Sequence, residues 1–203
     1  MDTRVILFDV GGVLVELGGV DDLLGWMGPQ ATVEQLWPVW LRSPSVRAFE
    51  TGRIGPAQFA TGILGELKLN LDPEVFLESF ASWPTRPFPG AFELVGSIPK
   101  RYQCALLSNS NMLHWPRVME QMNLQSTFSV AHCFSSHLTG KIKPDAESFE
   151  HVIETLRCKP QEVLFLDDNL MNVEAARSIG LRAEVARGVD GARGALRRAG
   201  VIA

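Results

Sequence analysis

Acidic residues directly follow two short apolar runs of the chain. Asp9 comes after the run 5–8, and Asp167 and Asp168 come after the run 163–166. Two adjacent carboxylates repel each other unless a cation lies beside them. Because carboxylate oxygens are the hard ligands that Mg²⁺ takes, the pattern predicts a magnesium site that Asp9 and Asp168 share.

Asp9 also has the chemistry of a nucleophile. Carboxylates can attack phosphorus in phosphoryl transfer and form an aspartyl-phosphate. A phosphate dianion repels such a carboxylate, so a cation must lie between the two groups. A carboxylate at a strand end beside a metal site therefore favours phosphoryl transfer, although Asp9 taken alone could be only a cap of the strand end.

Two further groups of residues could hold a phosphate. Ser108 and Asn109 follow a third apolar run, 104–107, and a hydroxyl with a neighbouring backbone N–H can bind a phosphate oxygen. Lys143 stands before a helical pattern that Asp145 would cap, and its charge could neutralise a carboxylate and a phosphate. Each group also has a plainer interpretation: an ordinary turn for Ser108 and Asn109, and a surface side chain for Lys143.

The three apolar runs show no polar alternation, which is typical of strands buried on both faces of a parallel sheet. Ligands of such sheets bind beyond the carboxyl ends of the strands, where the polar residues described above lie. Helical patterns fall at residues 90–98, 149–156 and 170–179, and a further strand is predicted at residues 182–186. Alternating strands and helices predict an α/β fold with a doubly wound parallel sheet.

The segment from residue 17 to residue 86 does not follow this alternation. It holds four of the five tryptophans, no clear strand, and helical stretches near residues 33–41, 57–67 and 74–82. We expect a helical cap over residues 17–86 and a core made of residues 1–16 and 87–203. The aromatic residues of the cap could line a substrate site, but the favoured interpretation is that they form the small apolar core of the cap itself.

Composition argues against two classes of partner. The formal net charge is −4, and the basic residues form no stripe of the kind that binds nucleic acid. No apolar stretch approaches the roughly 20 residues of a membrane span, and the apolar run before Asp9 is only four residues long, too short for the core of a signal peptide. We expect a cytoplasmic protein that acts on a small molecule.

Four segments resemble the motifs of the haloacid dehalogenase superfamily, in the order of that family. They are FDVGGVL (Phe8–Leu14), LLSNSN (Leu106–Asn111), KIKPD (Lys141–Asp145) and FLDDN (Phe165–Asn169). The stretches SNSNMLHW and FLDDNLMNVEAARSIG, with an insertion directly after the first motif, are similar to the subgroup of glucose-1-phosphatase-like sugar phosphatases. The resemblance spans nearly the whole chain. It implies a Rossmann-like core with a small helical cap, and a Mg²⁺-dependent phosphatase acting on a small phosphorylated metabolite such as a sugar phosphate.

The resemblance also implies a role for each site residue. Asp9 would be the nucleophile, and Lys143 would neutralise both Asp9 and the incoming phosphate. Ser108 and the backbone N–H of Asn109 would bind the phosphate. The metal ligands would be Asp9, the backbone carbonyl of Gly11, Asp168 and, directly or through water, Asp167.

One position departs from the pattern of the superfamily. Most of its phosphatases carry a second aspartate two residues after the nucleophile, which protonates the leaving oxygen, whereas this chain has Gly11 there. General acid–base catalysis is worth about 10²–10⁴-fold in rate. The enzyme could be slow, the substrate could have a good leaving group or relay its own proton, or Glu16 or Glu50 could replace the acid. The resembled subgroup also has glycine there and contains active phosphatases, so we expect activity.

Two other functions fit parts of the pattern. A haloacid dehalogenase-type hydrolase uses an aspartate and a lysine without a metal, and the clustered Asp167 and Asp168 argue against it. A non-catalytic phosphate-binding protein is supported by Gly11 alone. The presence of the nucleophile together with Ser108 and Lys143 argues against a pure scaffold.

Overall fold

The computed structural model describes residues 2–203, apart from the side chain of Trp37. The strands are β1 (Val5–Phe8), β2 (Val15–Leu17), β3 (Pro84–Pro87), β4 (Gln103–Ser108), β5 (Cys133–Ser135), β6 (Val163–Asp167) and β7 (Arg182–Val185). The helices are α1 (Gly19–Met27), α2 (Val33–Arg42), α3 (Pro44–Glu50), α4 (Pro56–Glu66), α5 (Pro73–Ala81), α6 (Ala91–Gly96), α7 (His114–Pro116), α8 (Ser136–Thr139), α9 (Ala146–Leu156), α10 (Leu170–Ser178) and α11 (Gly188–Arg198). Over residues 2–203, no helix is both long enough and apolar enough to cross a membrane.

A five-stranded parallel sheet forms the centre of the molecule, in the order β5-β4-β1-β6-β7. Strand β1 pairs with β4 on one edge and β6 on the other. Its side chains alternate between two apolar clusters, with Ile6 and Phe8 in one and Val5 and Leu7 in the other. A strand covered on both faces and both edges must be apolar throughout. The predicted α/β fold with a doubly wound parallel sheet is confirmed.

The predicted core strands and helices are present with small shifts of their ends. Strands β4, β6 and β7 contain or overlap the apolar runs, and α6, α9 and α10 lie on the helical patterns. The edge strand β5 was not predicted. Its three residues, Cys133–Ser135, include only one bulky apolar side chain, and a run that short carries no period.

Helices α1 to α5 lie between β2 and β3 in the chain and share one apolar cluster. Aromatic rings fill much of it: Phe49 stacks on Phe59 with ring centroids 4.4 Å apart, and Phe80 lies 4.9 Å from Phe59. Three helices were predicted nearly in place, whereas α1 and α3 were not. The proposed boundaries stay at residues 1–16 and 87–203 for the core and 17–86 for the cap.

The two crossings between core and cap form a short antiparallel ladder, which corrects the expectation that residues 17–86 contain no clear strand. Leu17 lies opposite Pro84, and Glu16 lies opposite Arg86 with Nε to Oε2 at 2.9 Å. The prolines of β3 suggested a linker, because proline has no N–H to donate to a sheet. In a two-stranded ladder, however, the proline nitrogen can face outwards.

Replacement of Phe59 by alanine tests the aromatic core of the cap. Phe59 is fully buried, so Phe59→Ala should lower the free energy of unfolding by about 3–5 kcal/mol through the cavity it opens. Denaturant unfolding followed by tryptophan fluorescence measures this change. The matched variant Phe92→Ala removes a ring that is 37% exposed and should cost less than about 1 kcal/mol. Equal losses in the two variants would contradict a packed cap core.

Candidate active site

The carboxyl ends of β1 and β6 bring three carboxylates together. Asp9 follows β1, Asp167 ends β6 and Asp168 comes next. One oxygen of each carboxylate lies within 4.8 Å of one oxygen of the others. The two strands are paired with Phe8 opposite Leu166, so the residues that follow them must be neighbours. Residues far apart in the chain thus meet at one edge of the sheet.

Lys143 lies at the centre of this cluster and is almost fully buried. Its Nζ donates to Asp9 Oδ1 at 2.7 Å, to Asp167 Oδ2 at 2.7 Å and to the Leu107 carbonyl at 2.9 Å. A lysine ammonium has three N–H donors, and all of them are used here. The alternative of a surface lysine is therefore wrong.

The charges of the cluster do not balance. Burial raises the pKa of Asp9 to about 8; Lys143 opposes this rise, and the neighbouring Asp167 and Asp168 add to it. Burial and Asp167 also raise the pKa of Asp168 to about 6. Burial alone would lower the pKa of Lys143, but Asp167 and Asp9 outweigh it and hold that pKa above its usual value. Three carboxylates facing one ammonium form a donor set that fits a divalent cation with oxygen ligands.

Asp167 is the most constrained of the three carboxylates. It is fully buried and accepts hydrogen bonds from Lys143, from the Asn169 N–H at 2.8 Å and from Asn172 Nδ2 at 3.1 Å to each oxygen. From its place in the sequence Asn172 could support either Asp167 or Asp168, and in the structure it supports Asp167. With most of its lone pairs occupied, Asp167 is better placed to orient Lys143 than to bind a metal directly.

Two adjacent glycines shape the turn after β1. Gly12 has a φ of +73°, and a Cβ on it would lie 2.3 Å from Asp168 Oδ2. Only glycine combines this backbone conformation with such a close approach. A Cβ on Gly11 would lie 2.9 Å from Leu17 Cδ1, so Leu17 borders the space that an aspartate would need there. Gly12 was not singled out from the sequence, although the Gly-Gly pair signals a tight turn.

Ser108 and Asn109 lie at the end of β4, beside the carboxylates. The Ser108 hydroxyl has one long contact, 3.4 Å to the Asn109 carbonyl, so it is free to turn towards a ligand. The Asn109 side chain donates to the Lys143 carbonyl and accepts from the Lys143 N–H, both at 2.9 Å. It therefore fixes the loop that carries the lysine, a role that sequence reasoning missed.

A cavity of about 750 Å³ lies above these residues, between the sheet and the cap. Polar side chains of its floor include Asp9, Ser108, Asn109, Lys143 and Asp168. The cap contributes a mainly apolar wall, made of Leu17, Val33, Pro38, Trp40, Leu41, Phe80, Trp83 and Pro84 with Glu34 and Glu50. Arg187 also lines the cavity, although its place in the arginine-rich end of the chain suggested a solvated helix face.

Three arginines of the cap could have bound a second anionic group of the substrate, but they do not line the cavity. They are Arg42, Arg47 and Arg53. Arg47 forms an ion pair with Asp145 of the core instead. Asp145 stands at the N-cap position of α9, as predicted, but its side chain makes no capping hydrogen bond and is used in this contact between cap and core.

Comparison with known proteins places the chain in a family. A model of the haloacid dehalogenase-like hydrolases matches residues 3–180. The chain is 28% identical over 194 residues to Phosphatase MT3486 of Mycobacterium tuberculosis (strain CDC 1551 / Oshkosh), covering 90% of this chain and 87% of that one. The chain spans only 24%, 12% and 17% of the lengths of the first three curated relatives that it matches, so those proteins' complete activities do not transfer to it directly.

Solved structures share the fold at low sequence identity. HAD family enzyme bt-2542 from Bacteroides thetaiotaomicron, in complex with magnesium and inorganic phosphate, has a TM-score of 0.68 and 22% identity over 91% of this chain and 94% of that chain. L-2-haloacid dehalogenase from Xanthobacter autotrophicus has a TM-score of 0.63 and 23% identity over 91% and 77%. At this identity the likeness shows the fold alone.

The close approach of Gly12 to Asp168 can be tested by adding one methyl group. Gly12→Ala should displace the Asp168 carboxylate and weaken magnesium binding about 10–100-fold, the usual effect of disturbing a residue that supports a ligand. Isothermal titration with MgCl₂ measures it. Gly200 has a φ of +69°, and a Cβ on it would meet no atom within 4 Å, so Gly200→Ala imposes the same backbone strain and should leave magnesium binding unchanged. Equal affinities in both variants would show that Gly12 does not position Asp168.

Proposed function

This chain belongs to the haloacid dehalogenase-like hydrolases, and we propose that it is a magnesium-dependent phosphomonoester hydrolase that works through an aspartyl-phosphate. The observation that carries the proposal is the buried cluster of Asp9, Asp167 and Asp168 around Lys143. It combines a nucleophile, a balancing lysine and an excess of negative charge that suits a divalent cation.

The proposed metal ligands are Asp9, Asp168 and the Gly11 carbonyl, and of the two modes that the sequence left open for Asp167, contact through water fits its occupied oxygens. A bound Mg²⁺ supplies charge neutralisation and orientation of the phosphate. The excess carboxylate charge supports this assignment, as does the magnesium and phosphate complex of the similarly folded bt-2542 enzyme.

Each remaining residue has a task that follows from its geometry. Asp9 Oδ attacks phosphorus, and Lys143, 2.7 Å from Asp9 Oδ1, favours the ionised form of Asp9 against the effect of burial on its pKa; the bound cation would add to this effect, and the lysine attracts the phosphate. The Ser108 hydroxyl and the Asn109 N–H donate to phosphate oxygens as charge develops on them.

The alternative of carbon–halogen hydrolysis shares the fold, the nucleophile and the lysine. The third carboxylate distinguishes the two reactions. Lys143 pairs with both Asp9 and Asp167, so one ammonium already faces two carboxylates, and the half-buried Asp168 adds a third negative charge that Lys143 and Arg187 compensate only in part. Because clustered carboxylates repel each other unless a further cation lies beside them, the cluster favours the magnesium-dependent phosphatase.

The cavity wall bears on the class of substrate. The sequence resemblance implied a sugar phosphate, whose hydroxyl groups need hydrogen-bond partners. The cap wall offers eight apolar side chains and two carboxyl groups, and its Trp40, Phe80 and Trp83 also belong to the aromatic core of the cap. We propose that the phosphate ester carries an apolar group that packs on this wall.

The proposed reaction predicts how the nucleophile and the metal affect turnover. Asp9→Asn keeps the shape of the side chain but cannot form the acyl-phosphate, so hydrolysis should fall by at least about 10³-fold. Chelation by EDTA should abolish wild-type activity, and added MgCl₂ should restore it. Phosphate release from a panel of monophosphates measures both effects. Turnover that survives chelation, or release of halide from 2-chloropropionate, would support the dehalogenase alternative.

The apolar wall predicts which phosphate esters the enzyme hydrolyses with the higher kcat/KM. Along a series of n-alkyl phosphates, kcat/KM should rise about threefold per added methylene until the wall is covered, because each buried CH₂ contributes up to about 0.8 kcal/mol. Hexose phosphates form the comparison arm under the same conditions. A flat alkyl series together with efficient hexose phosphate hydrolysis would restore the sugar phosphate expectation.

A further inference from the structure

The proposed phosphatase reaction needs a proton donor that the core lacks. When the P–O bond of an alkyl ester breaks, the leaving oxygen must gain a proton to become an alcohol. Gly11 has no side chain to give one, and Leu17 borders the space beside it. Any donor must therefore reach the cavity from another element.

We propose that Glu50 of the cap is this missing acid and base, an inference that rests on the proposed phosphatase function. Glu50 is the last residue of α3 and is only 7% exposed. It lines the same cavity as Asp9, Ser108 and Lys143. A carboxyl group from the cap thus faces the space where the phosphate ester has to lie.

Two contacts with the core, one before Glu50 in the chain and one after it, hold Glu50 in place. Arg47, one helical turn earlier, pairs with Asp145, which follows Lys143 by two residues. Gly52 has a φ of +72°, and a Cβ on it would lie 2.6 Å from the His137 carbonyl, so the backbone touches α8 there. Glu50 is therefore fixed over the loop that carries Lys143.

The surroundings of Glu50 keep it protonated. Burial raises its pKa to about 8, against the lowering effects of the Trp40 indole, of Lys143 and of Arg47 on its own helix. A carboxyl group with this pKa holds its proton at neutral pH. Once it has given the proton away, it is a stronger base than an ordinary carboxylate, which suits both halves of the reaction.

Other titratable side chains near the cavity fit the task less well. Glu16, the second residue considered from the sequence, is paired with Arg86 and does not line the cavity. Burial lowers the pKa of His114 to about 4, so its ring is neutral, and Nε2 is engaged with the Phe80 carbonyl at 2.6 Å. Glu34 lines the cavity, but it is exposed.

The two steps balance with Glu50 as the only proton carrier. In the first, Asp9 Oδ bonds to phosphorus, the ester P–O bond breaks, and its electron pair takes the Glu50 proton to give the alcohol. In the second, water attacks the aspartyl-phosphate, and one of its protons goes to the Glu50 carboxylate. The P–O bond to Asp9 then breaks, which releases inorganic phosphate and restores both carboxyl groups.

The experiment compares Glu50→Gln with wild type on two esters, hexyl phosphate and 4-nitrophenyl phosphate, with saturating MgCl₂. With hexyl phosphate, kcat/KM should fall about 10²–10⁴-fold, because a poor leaving group needs the acid. With 4-nitrophenyl phosphate, the rate of phospho-enzyme formation should change by less than about tenfold, because this leaving group needs no acid. Hydrolysis of the phospho-enzyme should become slow, so that the variant releases a burst of one nitrophenolate per active site. The wild-type rate on hexyl phosphate should decline above about pH 8 as Glu50 loses its proton, and the variant should lack that decline.

A stability measurement separates this role from a purely structural one. The pKa of Glu50 is raised on folding, from 4.5 to about 8. Its stabilising contribution is therefore present at low pH and lost as the pH rises through that window. Glu50→Gln, which cannot ionise, should melt increasingly above wild type as the pH is raised from about 5 to about 8. A difference in melting temperature between Glu50→Gln and wild type that stays constant from about pH 5 to about pH 8 would show that Glu50 does not hold its proton at neutral pH, and it would overturn the proposal.

Control variants decide the remaining outcomes. Glu16→Gln makes the same chemical change outside the cavity and should leave both substrates unaffected. Three results would each overturn the assignment of Glu50. The Glu50→Gln variant could lose activity equally on both esters without a burst, or it could keep full activity on hexyl phosphate. The third such result is a burst in the Glu34→Gln variant in place of the Glu50→Gln variant. If the wild-type protein hydrolyses neither ester, or if its hydrolysis persists in the Asp9→Asn variant, the proposed function itself fails and the role of Glu50 fails with it. Wild-type activity with an unaffected Glu50→Gln variant refutes the role alone.

Discussion

The buried ion pairs of Lys143 are the interaction on which the site depends. An ammonium group taken out of water is stable only when good partners surround it, and removal of one partner of a buried pair typically costs about 3–5 kcal/mol. Here the lysine meets Asp9 and Asp167 at 2.7 Å each and the Leu107 carbonyl at 2.9 Å. The ends of β1, β4 and β6 are thereby fixed to one point, which positions Asp9, the proposed nucleophile, before any ligand arrives.

The residues around that point hold the lysine rather than the substrate. Asn109 clamps the loop of Lys143 through two backbone hydrogen bonds, and Asn172 holds both oxygens of Asp167. Gly12 allows Asp168 to approach the turn after β1. The groups of the core that line the cavity and are left for a ligand include Asp9, the Gly11 backbone, Ser108, the Asn109 backbone and Asp168.

The sequence predicted the elements that depend on local pattern. Buried parallel strands must be apolar along their whole length, so β1, β4 and β6 are visible as runs, and the residues directly after them fall at one edge of the sheet. Asp9, Ser108 and Asp168 could be singled out in this way, whereas Lys143 was singled out by the helical pattern that follows it and by the motif around it. Strand β5 is too short to show a period, and the ladder between β2 and β3 is hidden by its prolines.

Contacts between segments that are distant in the chain could not be predicted from the sequence, because they depend on how the elements pack. That Asn172 supports Asp167 rather than Asp168 depends on the rotation of α10, and the pairing of Arg47 with Asp145 depends on how the cap docks. Glu50 has the type of a surface residue, because glutamate is almost never fully buried without a partner. Its burial and its raised pKa are properties of the cavity, and only the assembled cap and core create that cavity.

A proton donor on the cap links catalysis to the contact between cap and core. An acid in the turn after β1 would stand beside the nucleophile at all times, whereas Glu50 depends on the docking of α3 through Arg47 and Gly52. The same docking brings the apolar wall over the substrate and excludes water. Binding energy from an apolar leaving group can then stabilise the docked arrangement in which the acid is in place, and substrate selection and proton transfer become parts of one event.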